Sequence, residues 1–405
     1  MITASQSPAQ TISATAIPRV NANGEHSYKP GLEGVIAAET ALSHVDGQQG
    51  ELIIGGFPLE LLATNATFEE VVYLLWQGHL PRAAELGTFQ TEMAAKRTLP
   101  TALIHLLEAA AAAQVPTMTA LRMAAGAVDL DSVDSDSTDS DGHSQAQLIL
   151  ARLPTIVAAY WRLRQGQAPI SPDPALGHAA NYLYMLTGNV PSAAQVRGLE
   201  TYLNTVVDHG LNASTFAARV IIATDTDLTS AVVGALGALK GPLHGGAPGP
   251  ALDMVFAIGQ LARADAYLRA KLDAGERLMG FGHRIYKVRD PRAEVLAQAA
   301  EILFRTGGDP ALYDLAKGVE AKAVALLADY KPGRNLQTNV EFYTALLLHG
   351  LGMETDLFTP TFAISRAAGW LAHCFEQQAT GRLIRPQSRY VGRRERTWLP
   401  LAERT

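Results

Sequence analysis

Cysteine is all but missing from this 405-residue chain. Cys374 is the only one, which excludes a disulfide framework and any metal site built on several thiolates. Charge is sparse too: Asp, Glu, Lys and Arg make up 18% of the residues, against a usual soluble average of about 25%. The formal net charge is -6. That disfavours nucleic acid as a partner, because neutralising phosphates needs a basic surface, and leaves room for a local cationic pocket that takes a small anion. No run approaches roughly 18 uncharged apolar residues, so no membrane-spanning helix is expected. What the chain has in plenty is apolar residues, 48% of the total, so disorder of the whole chain is excluded. At roughly 100–200 residues per domain the length suggests two or three domains. The expectation is a soluble, cytoplasmic, globular protein.

Residues 1–28 are rich in Ser, Thr, Ala and Pro, with neither the apolar block of a secretory signal nor the arginines of a transit peptide, and read as a flexible tail. The turn pair Asp46-Gly47 and the run Leu52-Ile53-Ile54 predict a β-hairpin within Ala41 to Phe57. Helices dominate from there. Thr67 and Glu70 form a capping box, Val71, Leu74 and Leu75 recur at helical spacing, and Gly78 with Pro81 stops the run. Ala- and Leu-rich windows at 83–128, 145–166, 174–187, 195–207, 212–223, 228–239, 250–271, 292–306, 311–328, 339–351 and 360–380 continue the pattern. The acidic serine tract 129–142, DLDSVDSDSTDSDG, misses the spacing of a calcium loop and reads as a solvated surface insertion.

Four polar, glycine-punctuated segments interrupt this apolar background: 207–215 (VDHGLNAST), 240–247 (KGPLHGGA), 280–292 (GFGHRIYKVRDPR) and 339–343 (NVEFY). Each sets an ionisable residue at a turn or helix edge, and glycines beside His244 and His283 let a ligand approach the backbone. A single histidine beside glycine is more often structural than catalytic. As a set, two glycine-flanked histidines and the carboxylate of Glu341 supply what enolising a carbon acid requires. Arg292, Arg366 and Arg385 suit bidentate capture of carboxylates. The residues alone therefore point to acid/base chemistry on a small polycarboxylate, without naming a reaction.

These segments, in this order, resemble the citrate synthase family. GLEGVIAAETALSHVDGQQGELIIGG, DHGLNAST, GPLHGGA, GFGHRIYKVRDPR, NVEFYTALLLHGLG, SRAAGWLAHCFEQ and RLIRPQSRYVG carry the resemblance, from Gly31 to Gly392. It implies a mainly α, two-domain helical fold with a small N-terminal β-hairpin: a large domain over 29–245 and 353–405, a small one over 246–352. It implies a homodimer with shared active sites, and an acyltransferase of the tricarboxylic acid cycle. The reaction so implied condenses acetyl-CoA with oxaloacetate through an enol and hydrolyses citryl-CoA to citrate and CoA. No cofactor beyond the co-substrate acetyl-CoA is expected, and no metal.

The family's residues carry over one by one. By this resemblance His244 donates to the thioester oxygen as the enol forms, which requires a neutral ring whose other nitrogen is held by a partner the sequence does not identify. His283 polarises the oxaloacetate ketone and protonates the new alkoxide, and His209 also binds substrate. Arg292, Arg366 and Arg385 hold the carboxylates, Arg385 from the partner subunit. Leu243 and Gly282 line the thioester arm, Lys287 lies near the nucleotide phosphates, and Asn339 contacts the pantetheine. The base departs from the family pattern, in which Asp follows Asn-Val; Glu341 is longer by one methylene, about 1.5 Å. Three other readings stay open: 2-methylcitrate synthase, which uses propionyl-CoA and shares every residue named; a citryl-CoA lyase; and a low-activity homologue, because of Glu341.

Overall fold

The computed structural model describes residues 28–131, 142–245, 249–283 and 285–404. The tail before residue 28, most of the acidic tract, Gly246, Ala247, Pro248, Arg284 and Thr405 lie outside these. The fold is mainly α, as expected, with sixteen α-helices and one three-stranded sheet among the described residues. None of those helices is long and apolar enough to cross a membrane. Contacts divide the chain into Met1–Glu39 and Thr40–Thr405. The first contributes the 3-10 turn Pro30–Leu32, and every α-helix and strand belongs to the second.

The hairpin is present. Strand β1 (Ser43–Asp46) pairs antiparallel with β2 (Glu51–Ile54), Asp46 opposite Glu51, and β3 (Phe57–Pro58) adds to the far edge of β2. Leu52 and Ile54 are fully buried while Glu51 is exposed, the two-residue alternation of a half-buried strand. The capping box is also as read: Thr67 N–H donates to Glu70 Oε2 at 2.7 Å, Glu70 N–H donates to Thr67 Oγ1 at 3.3 Å, and Phe68–Gln77 ends at Gly78 with φ 77°.

Two long windows are broken where the backbone demands it. The window 83–128 is three helices, Ala83–Ala95, Thr101–Ala112 and Thr117–Ala125, the last two starting directly after Pro100 and Pro116. A proline has no N–H to continue a helix and forces the residue before it out of helical geometry, yet suits a helix start. The window 250–271 splits into Gly249–Ile258 and Leu261–Asp273 at Gly259, whose φ is 66°. The short helix Leu59–Asn65, following Pro58, has no counterpart in the sequence reading.

One helix organises the rest. Phe358–Thr380 is buried along most of its length and packs against Phe68–Gln77, Gly142–Arg164, Ala193–Val206, Ala213–Ile222 and Leu228–Leu239. Small residues let those neighbours come close. A Cβ on Gly369 would stand 2.3 Å from the Val207 carbonyl oxygen and 3.2 Å from Asp208 Oδ1, so the segment leading to His209 lies directly on this helix. A second junction sets Pro291–Gly307 against both Ala193–Val206 and Val340–Gly350, which brings Arg292 and Glu341, each in the first turn of its helix, onto neighbouring helix starts. Gly369→Ala should therefore destabilise the protein by about 1–3 kcal/mol, since overpacking against backbone has no soft neighbour to yield. The urea midpoint reads this; an unchanged midpoint would contradict the close approach.

Candidate active site

Eight of the eleven site residues named from sequence line one cavity of about 310 Å³: His209, Leu243, His244, His283, Arg292, Asn339, Glu341 and Arg366. Gly282 lies just behind it, its carbonyl accepting from Asn339 Nδ2 at 2.8 Å. Lys287 is exposed and does not line the cavity. Arg385 sits on the exposed segment after Thr380, which has no regular secondary structure there, and does not line the cavity of its own chain.

The start of helix Ala213–Ile222 fixes His244. Asn212 caps that helix, its Oδ1 accepting from the Thr215 amide at 3.1 Å, and the Ser214 amide donates to His244 Nε2 at 3.2 Å. Ser214 Oγ lies 2.8 Å from the same nitrogen and accepts from the Trp370 indole N–H at 3.0 Å. A nitrogen that accepts from a backbone amide carries no proton, so His244 is the neutral Nδ1–H tautomer. Burial, and then the Arg366 charge, hold its pKa below the ordinary value. Ser214 is thus the missing partner of His244. It lies inside a segment singled out from sequence, but a serine two residues after a helix cap gives no signal of facing a histidine 30 positions away.

His283 is fixed the same way. The amides of Ile285 and Tyr286 both donate to Nδ1 at 3.1 Å, so Nε2 carries the proton. Arg292 Nη2 stands 3.4 Å from that Nε2: two donors converge, and an incoming carbonyl or carboxylate oxygen would accept from both. Burial and the Arg292 charge bring the His283 pKa down to about 4. His209 is 8% exposed, its Nε2 lies 3.1 Å from the Tyr286 hydroxyl, and its ring stands edge-on to His283 with centroids 6.0 Å apart. Burial, Arg292 and Arg366 keep it well below its usual pKa. All three imidazoles are uncharged at neutral pH.

The two guanidiniums differ. Arg292 pairs with Asp290 through Nε at 3.0 Å and Nη2 at 2.8 Å; burial alone would weaken its charge, and Asp290 outweighs that. Asp290 also caps helix Pro291–Gly307 and accepts from the Val340 amide at 3.2 Å. Arg366, 2% exposed, donates through Nε to the Val206 carbonyl at 2.6 Å and lies 4.6 Å over the Phe362 ring. It makes no ion pair among the described residues, and burial drags its pKa to about 10.

Glu341 follows Asn339, whose Oδ1 accepts the Glu341 amide at 2.9 Å. Its carboxylate makes no hydrogen bond among the described residues, and burial pushes its pKa up, with Arg292 pulling the other way. The His283 loop and this helix start are held together: Phe281 bridges Thr338, and the Asn339 amide donates to the Gly280 carbonyl at 2.9 Å. Gly280 (φ 88°) lies so near Phe342 that a Cβ there would be 2.9 Å from the Phe342 Cβ. The arrangement is a cation-lined cavity with one carboxylate that no described residue hydrogen-bonds, two oriented neutral imidazole donors and space for a small polyanion.

This cavity brings together the groups that acid/base chemistry on a small carboxylate would need. A family model described as "Citrate synthase, C-terminal domain" matches residues 31–387. The citrate synthase of Haloferax volcanii is 41% identical over 381 residues, covering 93% of this chain and 99% of that protein. The 2-methylcitrate synthase of Mycobacterium tuberculosis is 39% identical over 402 residues, covering 98% of each. The crystal structure of citrate synthase from Pyrobaculum aerophilum aligns with a TM-score of 0.84 at 34% identity, over 98% of this chain and 100% of that one. A Thermoplasma acidophilum citrate synthase in ternary complex with carboxymethyl coenzyme A and oxaloacetate aligns with a TM-score of 0.82 at 29% identity, over 93% of this chain and 99% of that one. The chain belongs to the citrate synthase family, whose members are acyltransferases.

Nitrogen NMR tests the tautomer assignment. His244 should show a protonated Nδ1 and an unprotonated Nε2 at pH 6.5, where a free histidine is half charged. A proton on Nε2 would overturn it.

Proposed function

We propose that this protein is a citrate synthase, condensing acetyl-CoA with oxaloacetate and hydrolysing the citryl-CoA formed. One observation carries the reading: the Glu341 carboxylate, which no described residue pairs, and the oriented His244 open onto the same cavity as two guanidiniums. Arg366 and Arg292 bind the oxaloacetate carboxylates beside His209, and the ketone oxygen accepts from His283 Nε2–H. Glu341 removes a proton from the thioester methyl, and the electron pair moves onto the carbonyl oxygen, where His244 Nδ1–H meets it. A donor aimed at developing oxyanion charge contributes roughly 3–4 kcal/mol. The enolate carbon then bonds to the ketone carbon and the alkoxide takes the His283 Nε2 proton. The attacking water returns a proton to His283 as its hydroxyl adds to the thioester carbonyl, and Glu341 passes the methyl proton to the departing CoA thiolate. Leu243, Gly282, Lys287 and Asn339 serve the CoA side. No metal and no further cofactor enter these steps.

The working unit in this reading is a homodimer. The segment after Thr380 exposes Leu383, Val391 and Trp398 at 57%, 82% and 75% among its arginines, an arm that covers a second copy and delivers Arg385 to its cavity. Residues 246–352 act as the smaller domain between large-domain segments 29–245 and 353–405. The protein works in the cytoplasm, in the tricarboxylic acid cycle. Relatives called 2-methylcitrate synthase that match over nearly the whole chain favour a second reading with propionyl-CoA, since one methylene at a pocket is worth only about 1–3 kcal/mol.

Thiol release from acetyl-CoA and propionyl-CoA with oxaloacetate separates these. Greater kcat/KM with acetyl-CoA is expected; equal or greater turnover of propionyl-CoA replaces the first reading by the second, and release from neither with cleavage of citryl-CoA points to a lyase. Glu341→Gln should lower kcat by roughly 10²–10⁴-fold, the usual contribution of a general base, while Glu341→Asp keeps comparable or greater activity. An inert Asp variant would contradict the assigned base. Because Glu341 must be ionised and burial raises its pKa, activity should fall on acidification at a pH above the ordinary glutamate value near 4.5. An acid limb below that value would remove Glu341 from the base position.

A further inference from the structure

The hairpin β1–β2 grips both histidine loops of the cavity while contributing no lining residue itself. At its start the Ser43 hydroxyl donates to Asp208 Oδ2 at 2.5 Å and accepts from the Gly210 amide at 2.9 Å, so one hydroxyl holds the residues on either side of His209. At its tip the Gly47 carbonyl accepts from the Lys287 amide at 2.7 Å. Gly47 itself lies against Ile285: a Cβ there would stand 2.3 Å from the Ile285 carbonyl oxygen. Gly50 repeats this against Val288, with 2.7 Å to Cγ2. Ile285 and Tyr286 are the residues whose amides fix His283, and the Tyr286 hydroxyl meets His209. The hairpin tip therefore touches the stretch of backbone that orients one imidazole, and the hairpin start touches the stretch that orients the other.

We propose that the hairpin is a clasp that sets the spacing between the His209 and His283 loops, with Ser43 and Gly47 as positioning residues acting through those histidines. Its anchorage on the His209 side is rigid. His373 Nε2 lies 3.2 Å from Asp208 Oδ1, His373 Nδ1 lies 2.9 Å from Arg219 Nη1, and Arg219 pairs with Glu376 at 2.6 Å. Asp208 is thereby tied to the buried helix Phe358–Thr380, and Ser43 ties the hairpin to Asp208. On the His283 side, glycine at 47 is what permits contact with the loop backbone at that distance. A displacement near 1 Å at reacting groups costs on the order of 10²-fold in rate, so a part that fixes loop spacing affects chemistry without touching substrate.

The test is hydrogen exchange with a histidine titration by NMR in wild type, Gly47→Ala, Ser43→Ala and Ser43→Thr; neither measurement depends on the proposed reaction. In Gly47→Ala the amides of Ile285, Tyr286 and Lys287 should exchange at least tenfold faster, with helix Pro291–Gly307 unaffected, and the His283 pKa should climb from about 4 towards 6.5 as the ring hydrates. Ser43→Ala should speed exchange at Gly210, and Ser43→Thr, which keeps the hydroxyl, should restore it. The kinetic arm does rest on the citrate synthase reading: kcat/KM should fall at least tenfold in both Ala variants and recover in Ser43→Thr. Unchanged exchange and an unchanged His283 titration overturn the clasp whatever the activity. Altered exchange in a protein whose wild type turns over no oxaloacetate keeps the clasp and removes the reaction. Should Gly47→Ala fail to fold, the Ser43 pair decides alone.

Discussion

A guanidinium folded into the interior without a carboxylate of its own is the constraint from which the rest of this site follows. Arg366 keeps one hydrogen bond to the Val206 carbonyl and a ring face beneath it. Leaving water costs an ion several kcal/mol even after the protein relaxes. Asp208 is the carboxylate whose field opposes that loss, yet Ser43 and His373 already engage its oxygens. Arg366 therefore feels Asp208 only through its field, with no carboxylate bonded to its guanidinium among the described residues, which is how a protein holds a place for an anion.

Burial, and after it the two guanidiniums, set the protonation of the imidazoles around the cavity. His209, His244 and His283 all sit below their ordinary pKa, burial coming first and the two arginines adding to it. Each ring is then a neutral donor whose direction its hydrogen-bonded side determines. Glu341 feels opposite pulls: burial raises its pKa while Arg292 lowers it. In the proposed reading, a dianion bound beside Arg292 would offset its pull and leave burial to raise the Glu341 pKa further. Glu341 stands in the first turn of its helix, where the N-terminal end of the helix dipole favours an ionised carboxylate.

How far the sequence revealed this depends on distance along the chain. The capping box at Thr67, the hairpin and the helical windows rest on neighbours within a turn or two, and they were legible. The breaks at Pro100 and Pro116 were visible as residues but were overridden by the surrounding alanine-rich periodicity. At the site, glycine-flanked histidines and the arginines stood out by residue type. What sequence reasoning could not reach were pairings across the fold, Ser214 with His244 and Ser43 with Asp208, because nothing local marks a serine that faces a partner 30 or 165 positions away. Asp290 was half legible: Asp before Pro at a helix start announces the cap, but not the bidentate hold on Arg292. Arg385 was named as a substrate ligand, and within its own chain it stays on the exposed arm.

The most direct test of an anion site built around a buried unpaired cation is thermal or urea unfolding of Arg366→Met with and without oxaloacetate. The free variant should be as stable as the parent or more so, by up to about 4 kcal/mol, as replacements of buried charge often are. In the parent, oxaloacetate at about a hundred times its Kd should add roughly 2.7 kcal/mol, and the variant should lose that gain. A free variant clearly less stable than the parent, with the ligand-induced gain intact, would show that Arg366 is a structural cation and contradict this account.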